Sequence, residues 1–133
     1  MTKSREHARL LLVKADEDLY VLDRLAGDPE SPDAVIGFHA QQPVEKALKA
    51  VLTGRGIRYT RTHDLGGLID LLADHGIRPP PDSDTLPALT PFAAEFRYGQ
   101  LPPEDAAPPT LDRQQALDSA RRTRKWAQAI ALG

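Results

Sequence analysis

No cysteine occurs among the 133 residues. Disulfides, iron–sulfur clusters, thiolate nucleophiles and cysteine-bound zinc are excluded together, and the absence points to a cytoplasmic chain. No apolar run approaches the roughly 18 residues that a membrane-spanning helix needs. The segment Met1 to Leu10, with Lys3, Arg5, Glu6, His7 and Arg9, lacks the apolar centre of a signal peptide. A large excess of charge of one sign is also missing: 17 Lys and Arg against 19 Asp and Glu leave a net charge of -2. The chain as a whole therefore has no strong positive field for nucleic acid, and any such role falls to local patches. Aromatic residues amount to 5%, so the core has to be aliphatic. The histidines His7, His39, His63 and His75 show no ligand spacing with carboxylates, so no metal is expected. No glycine-rich phosphate loop follows a strand, no serine sits in a nucleophile elbow, and no cofactor is expected.

What is abundant is proline, twelve residues in all, set against a helical apolar spacing almost everywhere else. No stretch alternates with period two long enough to suggest a sheet, so the chain reads as one all-α domain over residues 1–133. Ala8, Leu11, Leu12, Ala15, Leu19, Leu22 and Ala26 share an arc of roughly 100°, predicting a first helix stopped by Gly27-Asp28-Pro29. Leu10, Val13, Tyr20, Val21 and Leu25 lie outside that arc, which implies a second contact for this helix. Ser31-Pro32-Asp33 predicts the start of a second helix, with Ser31 as its cap and Pro32 at its first position. That helix runs to about Thr53, is stopped by Gly54 and Gly56, and is expected to kink at Pro43. A short third helix follows Thr62-His63-Asp64 and closes at Gly76, with Thr62 or Asp64 as its cap. A fourth covers roughly Leu86 to Tyr98, interrupted at Thr90-Pro91, and a fifth runs from near Thr110 to about Leu132.

Several groups of residues carry chemistry. On the second helix Phe38, His39, Gln42, Glu45, Lys46 and Lys49 share the face opposite Ile36, Ala40, Val44, Ala47, Leu48 and Val51. Glu45 and Lys49 form an i, i+4 pair, which suits either a solvated face or a binding surface that includes Phe38. Arg55, Arg58, Arg61 and His63 fall within nine residues around two glycines. They suit a phosphate or RNA contact, or a basic loop near the negative end of a helix dipole. Arg97, beside Glu95 and before Tyr98, can reach phosphate or pair with an acidic side chain. The run Arg121, Arg122, Arg124 and Lys125 reads as a solvated basic face, with Trp126 as a candidate contact residue.

Three of these segments, in order, resemble the HEPN family of small helical domains. Phe38 to Leu52, with paired glutamines ahead of Glu-Lys-Ala-Leu-Lys-Ala, resembles that family's second-helix signature. His63-Asp64-Leu65 resembles its His-Asp-Leu helix start, and Glu95 to Tyr98 its later Arg-Tyr element. The resemblance implies an up-and-down bundle of four to five helices, often a homodimer. It also implies a minimal nucleotidyltransferase as partner in a toxin–antitoxin-like pair, and binding of a nucleotide or RNA phosphate through Gln42, Glu45, Lys49, Arg61, Asp64 and Tyr98. Many members are metal-independent ribonucleases that use an arginine followed four to six residues later by a histidine. Arg58 and His63 meet that count in an unusual place, whereas Arg97, at the expected place, is followed by Tyr98-Gly99-Gln100-Leu101-Pro102 and no histidine. The resemblance thus leaves three alternatives: a binding domain partnered by a nucleotidyltransferase, a ribonuclease toxin using His63 with Arg58 or Arg97, and a non-catalytic dimerisation module.

Overall fold

A computed structural model of the chain describes residues 2–93 and 110–133, and all regular structure among them is helical. Helix α1 spans Thr2–Ala26, α2 Asp33–Gly54, α3 Leu65–Asp74 and α4 Arg113–Leu132, with a 3-10 turn at Leu86–Leu89 running into helical residues 90–93. The architecture is the expected all-α bundle. None of these helices is long and apolar enough to cross a membrane.

Helix α2 lies at the centre, packed by α1 and α4, with α3 and the 3-10 turn on its remaining side. Its aliphatic face, Ile36, Ala40, Val44, Ala47, Leu48 and Val51, is completely buried, and each of its Ile, Val and Leu side chains contributes about 1.5–3 kcal/mol relative to exposure. Ala8, Leu12, Ala15 and Leu22 bury the α1 face picked out by its periodicity. Ion pairs fix the directions of the helices. Arg124 forks onto Asp16 at 2.8 and 2.9 Å, Arg121 bonds Asp23, and Arg5 reaches the carbonyl of Leu132 at 2.7 Å, so α1 and α4 run antiparallel. Arg113 meets Asp33 at 2.8 Å, and Gly54 lies against Ala131, so α2 and α4 run parallel.

The glycines stop two helices by one device. Gly56 and Gly76 both adopt φ of +71°. Around them Ile57 N–H bonds Leu52 O at 2.8 Å and Ile77 N–H bonds Leu72 O at 3.0 Å, the Schellman closure that satisfies terminal carbonyls. Gly37 serves packing instead. A Cβ there would lie 2.1 Å from Cδ1 of the buried Phe92, so the bare backbone of α2 admits that ring.

Three expectations change. Pro32, not Ser31, is the N-cap of α2, and no side chain caps it; the Ser31 carbonyl instead accepts from Arg113 Nη2. Helix α2 holds Pro43 in its interior, as the sequence reading placed it, and the missing amide costs one backbone bond. Helix α4 starts later than expected, where the Asp112 carboxylate accepts from Gln115 N–H at 3.0 Å. Trp126 is 6% exposed and its indole N–H donates to the Arg78 carbonyl at 3.1 Å, so it joins α4 to the chain after α3 and offers no open ring.

Candidate functional site

The side of α2 opposite its aliphatic face was open to two readings, solvated or binding. It is not solvated: Glu45 is 5% exposed and Gln41 is wholly buried. Glu45 sits at the focus of a hydrogen-bonded group. Its Oε1 accepts from Gln41 Nε2 at 2.8 Å and from His63 Nδ1 at 2.7 Å, and its Oε2 from Lys49 Nζ at 3.0 Å. Gln42 Nε2 donates to Gln41 Oε1 at 2.6 Å, lengthening the chain by one link. Burial by itself pushes the Glu45 carboxyl up, but the bonds from Gln41, His63 and Lys49 outweigh it and hold its pKa below the ordinary value. A carboxylate that stays ionised is acceptor-only, so the proton on His63 Nδ1 is fixed on the side facing Glu45.

The turn at Gly56 makes this arrangement. It reverses the chain so that residues 57–63 return along the C-terminal half of α2. Tyr59 places its hydroxyl 3.3 Å from Thr53 Oγ1 and its ring 5.7 Å from Lys49 Nζ, a cation–π contact that orients the ammonium. His63 then arrives over Glu45, 30% exposed by side chain, and Asp64 becomes the N-cap residue of α3. The Asp64 amide bonds Thr62 Oγ1 at 3.0 Å, and the Leu65 amide bonds Thr90 Oγ1 at 3.2 Å. Of the two expected caps, Asp64 takes the position without a side-chain cap bond, and Thr62 holds only the Asp64 amide. Arg55, Arg58 and Arg61 stay exposed on the same loop.

A second polar cluster adjoins the first on α2. Lys46 bonds Asp18 of α1, and His39 Nδ1 lies 3.8 Å from the same carboxylate. Desolvation lowers the His39 pKa, with Lys46 adding to the effect and Asp18 opposing it. Phe38 is half-buried and meets the His39 ring edge-on at 5.1 Å, so it is not the exposed partner residue that its place on the helix suggested. Among the described residues no group of three or more His, Asp or Glu side chains gathers as a metal site would require.

The sequence profile described as HEPN domain matches residues 8–130. The chain belongs to the HEPN family. A protein of Methanocaldococcus jannaschii named "Putative toxin MJ1304" is 43% identical over 63 residues, covering 47% of this chain. The match takes in 40% of that protein, so the chain spans less than half of its length. No solved structure matches.

In this HEPN chain the structure brings together four of the residues singled out from sequence: Gln42, Glu45, Lys49 and His63. Arg58 and Arg61 lie on the adjoining loop with exposed side chains, and Asp64 starts α3. Arg97 and Tyr98 fall outside the described residues. Two members of the constellation were missed as site residues. Gln41 sits one turn before Glu45, an i, i+4 spacing that the paired glutamines carried in plain view. Tyr59 had no sequence signal, because its contact with Lys49 depends on the loop turning back at Gly56.

Proposed function

We propose that this HEPN protein is the helical half of a toxin–antitoxin-like pair, binding a nucleotide or RNA phosphate and docking a minimal nucleotidyltransferase. One observation carries the reading: the buried Glu45, hydrogen-bonded by Gln41, Lys49 and His63, anchors a loop whose arginines Arg55, Arg58 and Arg61 are all exposed. The group holds the loop in place, and guanidinium groups on a fixed loop can grip phosphate bidentately. Lys49, steadied by Glu45 and Tyr59, adds a cation at the edge of that surface. The name of the M. jannaschii relative is consistent with a toxin role.

A ribonuclease reading rests on the Glu45–His63 contact of 2.7 Å. In this reading His63, its Nδ1 turned to Glu45, takes the proton of an RNA 2'-hydroxyl as general base. That oxygen attacks phosphorus to form the 2',3'-cyclic phosphate, and the 5'-oxygen leaves with a proton from water. An arginine, Arg58 or Arg97, would stabilise the charge on the phosphorus-bound oxygens without a metal.

One set of titrations separates the readings. Calorimetry with AMP, ATP and a short single-stranded RNA is expected to detect binding to the wild type and about tenfold weaker binding to Arg58→Glu/Arg61→Glu, the loss of roughly 1.4 kcal/mol. Absence of binding to all three, with no nucleotidyltransferase encoded beside the gene, would refute the first reading. RNA cleavage in chelator that disappears in His63→Ala supports the ribonuclease. An inactive wild type eliminates it.

A further inference from the structure

Two features of the sequence, the proline block Pro79-Pro80-Pro81 and the basic run before Trp126, have no part in the phosphate reading. They meet in the structure. Between α4 and the chain that follows α3 lies an open hollow of about 400 Å³, walled by Pro79 and Pro81 on one side and by Trp126 and Ala129 on the other, with Arg78, Arg122 and Lys125 completing its lining. Its shape is fixed from both sides. Proline rings lock their own φ, and the bond from the Trp126 indole N–H to the Arg78 carbonyl at 3.1 Å ties the proline wall to α4. The hollow is therefore formed before anything enters it, which lowers the cost of binding there.

Every charged side chain that lines the hollow is basic. Arg122 is forked onto Asp82 at 2.9 and 3.2 Å, which offsets its charge. Arg78 and Lys125 are exposed, and among the described residues neither has an ion-pair partner. An occupant that satisfies this site brings an apolar group to Pro79, Pro81 and Ala129 and negative charge to Arg78 and Lys125. Free phosphate meets only the second requirement, because Pro79 and Pro81 have no amide to donate and an apolar wall offers a hydrated anion nothing in exchange for its water. RNA fails on its bases, since the one aromatic ring of the hollow, Trp126, is 6% exposed and presents no face for stacking. A peptide with an aliphatic or aromatic side chain between carboxylates meets both. The net charge of -2 gives no general attraction for such a peptide, so its acids have to be held at this spot.

We propose that the hollow between residues 79–81 and α4 docks an acidic peptide segment of a partner protein, with an apolar side chain seated against Pro79, Pro81 and Ala129 and the flanking carboxylates held by Arg78 and Lys125. The site uses no residue of the 55–61 loop and stands without the phosphate reading. A single hollow buries far less than the ~1,200 Å² of the smaller stable interfaces. The peptide alone is therefore expected to bind in the range of tens of micromolar, and more weakly as salt screens the charges.

Fluorescence anisotropy of the full chain with the fluorescein-labelled pentapeptides Glu-Asp-Leu-Asp-Glu and Glu-Asp-Phe-Asp-Glu tests this. The wild type is expected to bind them. Replacing the central residue by serine, or all the acids by glutamine, should weaken binding about tenfold or more, because each removes one of the two requirements. Ala129→Glu, which sets a carboxylate on the apolar wall, and Arg78→Glu/Lys125→Glu, which reverses the rim, should each do the same. All these positions are exposed, and a thermal melt of each variant verifies its folding independently of binding. A wild type that binds neither peptide at about 500 μM protein overturns the proposal. So does a serine peptide that binds as well as its parent, or a hollow variant that binds as the wild type does. If Arg58→Glu/Arg61→Glu abolishes peptide binding instead, the acids are held by the 55–61 loop and the hollow is not the site. A short single-stranded RNA that binds the wild type and is lost in Arg78→Glu/Lys125→Glu, with no peptide bound, gives the hollow to nucleic acid and likewise overturns the proposal.

Discussion

Glu45 shows what a single buried charge demands of its surroundings. Three donors converge on its two oxygens, so removing the carboxylate strands Lys49 and leaves Gln41 and His63 without their acceptor. Breaking a buried ionic contact from one side costs about 3–5 kcal/mol. Glu45→Ala is therefore expected to lower the urea midpoint by that order, and Glu45→Gln by less because the amide oxygen still accepts. The pH dependence follows from two groups. The Glu45 pKa is lowered in the folded state, so its stabilisation is complete above the ordinary 4.5 and is lost as pH falls through the folded value. The His39 pKa is also lowered. The unfolded chain then takes up a proton more readily below 6.5, and stability falls on acidification from that point down to the folded value. Urea titrations from pH 8 down to about 3 should show two declines, one beginning near 6.5 and one below 4.5, and His39→Asn should remove the upper one alone.

At the scale of the element, α2 is a helix enclosed on nearly every side, and its small residues matter as much as its large ones. Gly37 faces the Phe92 ring so closely that an added methyl must displace it. Overpacking of this kind costs about 1–3 kcal/mol, against a gain of about 1 kcal/mol from alanine's higher helix propensity. Gly37→Ala is expected to be destabilising on balance and to be relieved by Phe92→Leu, which a thermal melt of the three variants would establish. Periodicity in the sequence identified the aliphatic face of this helix correctly, and the glycines and prolines bounded it within a residue or two. It could not say what covered the other face. A 3.6-residue pattern tells which side chains lie together; that α1 brings Asp18 and the 57–63 loop brings His63 to that face depends on contacts far apart in the chain. Ser31 is not the cap because the first helical amides, those of Val35 and Ile36, bond the carbonyl of Pro32.

For the whole molecule, a net charge of -2 conceals an ordered arrangement. The basic run on α4 does not form an open positive patch, because Arg121 and Arg124 are paired to Asp23 and Asp16 of α1 and Arg122 is forked onto Asp82. Exposed pairs contribute about 0–1 kcal/mol each, so the melting temperature should change little between low and high salt, while any RNA binding through the 55–61 loop should weaken steeply. That contrast separates electrostatics that hold the fold from electrostatics that serve a ligand. The all-α class, the helix order and the family were legible in the sequence because periodicity, helix stops and three local motifs are local signals. The core of the candidate site was half legible: Gln42, Glu45, Lys49 and His63 could be named, but not their convergence.

Trp126 is the chain's one tryptophan, enclosed between α4 and the residues after α3 and bonded through its indole to Arg78. Its ultraviolet emission therefore reports on a single junction. In the native protein the emission should lie at the short wavelengths of a shielded indole, and it should move to the red when α4 parts from the α3 end. Comparing that signal with far-ultraviolet helicity reveals whether the junction opens before the helices melt or together with them, with no label added to the protein.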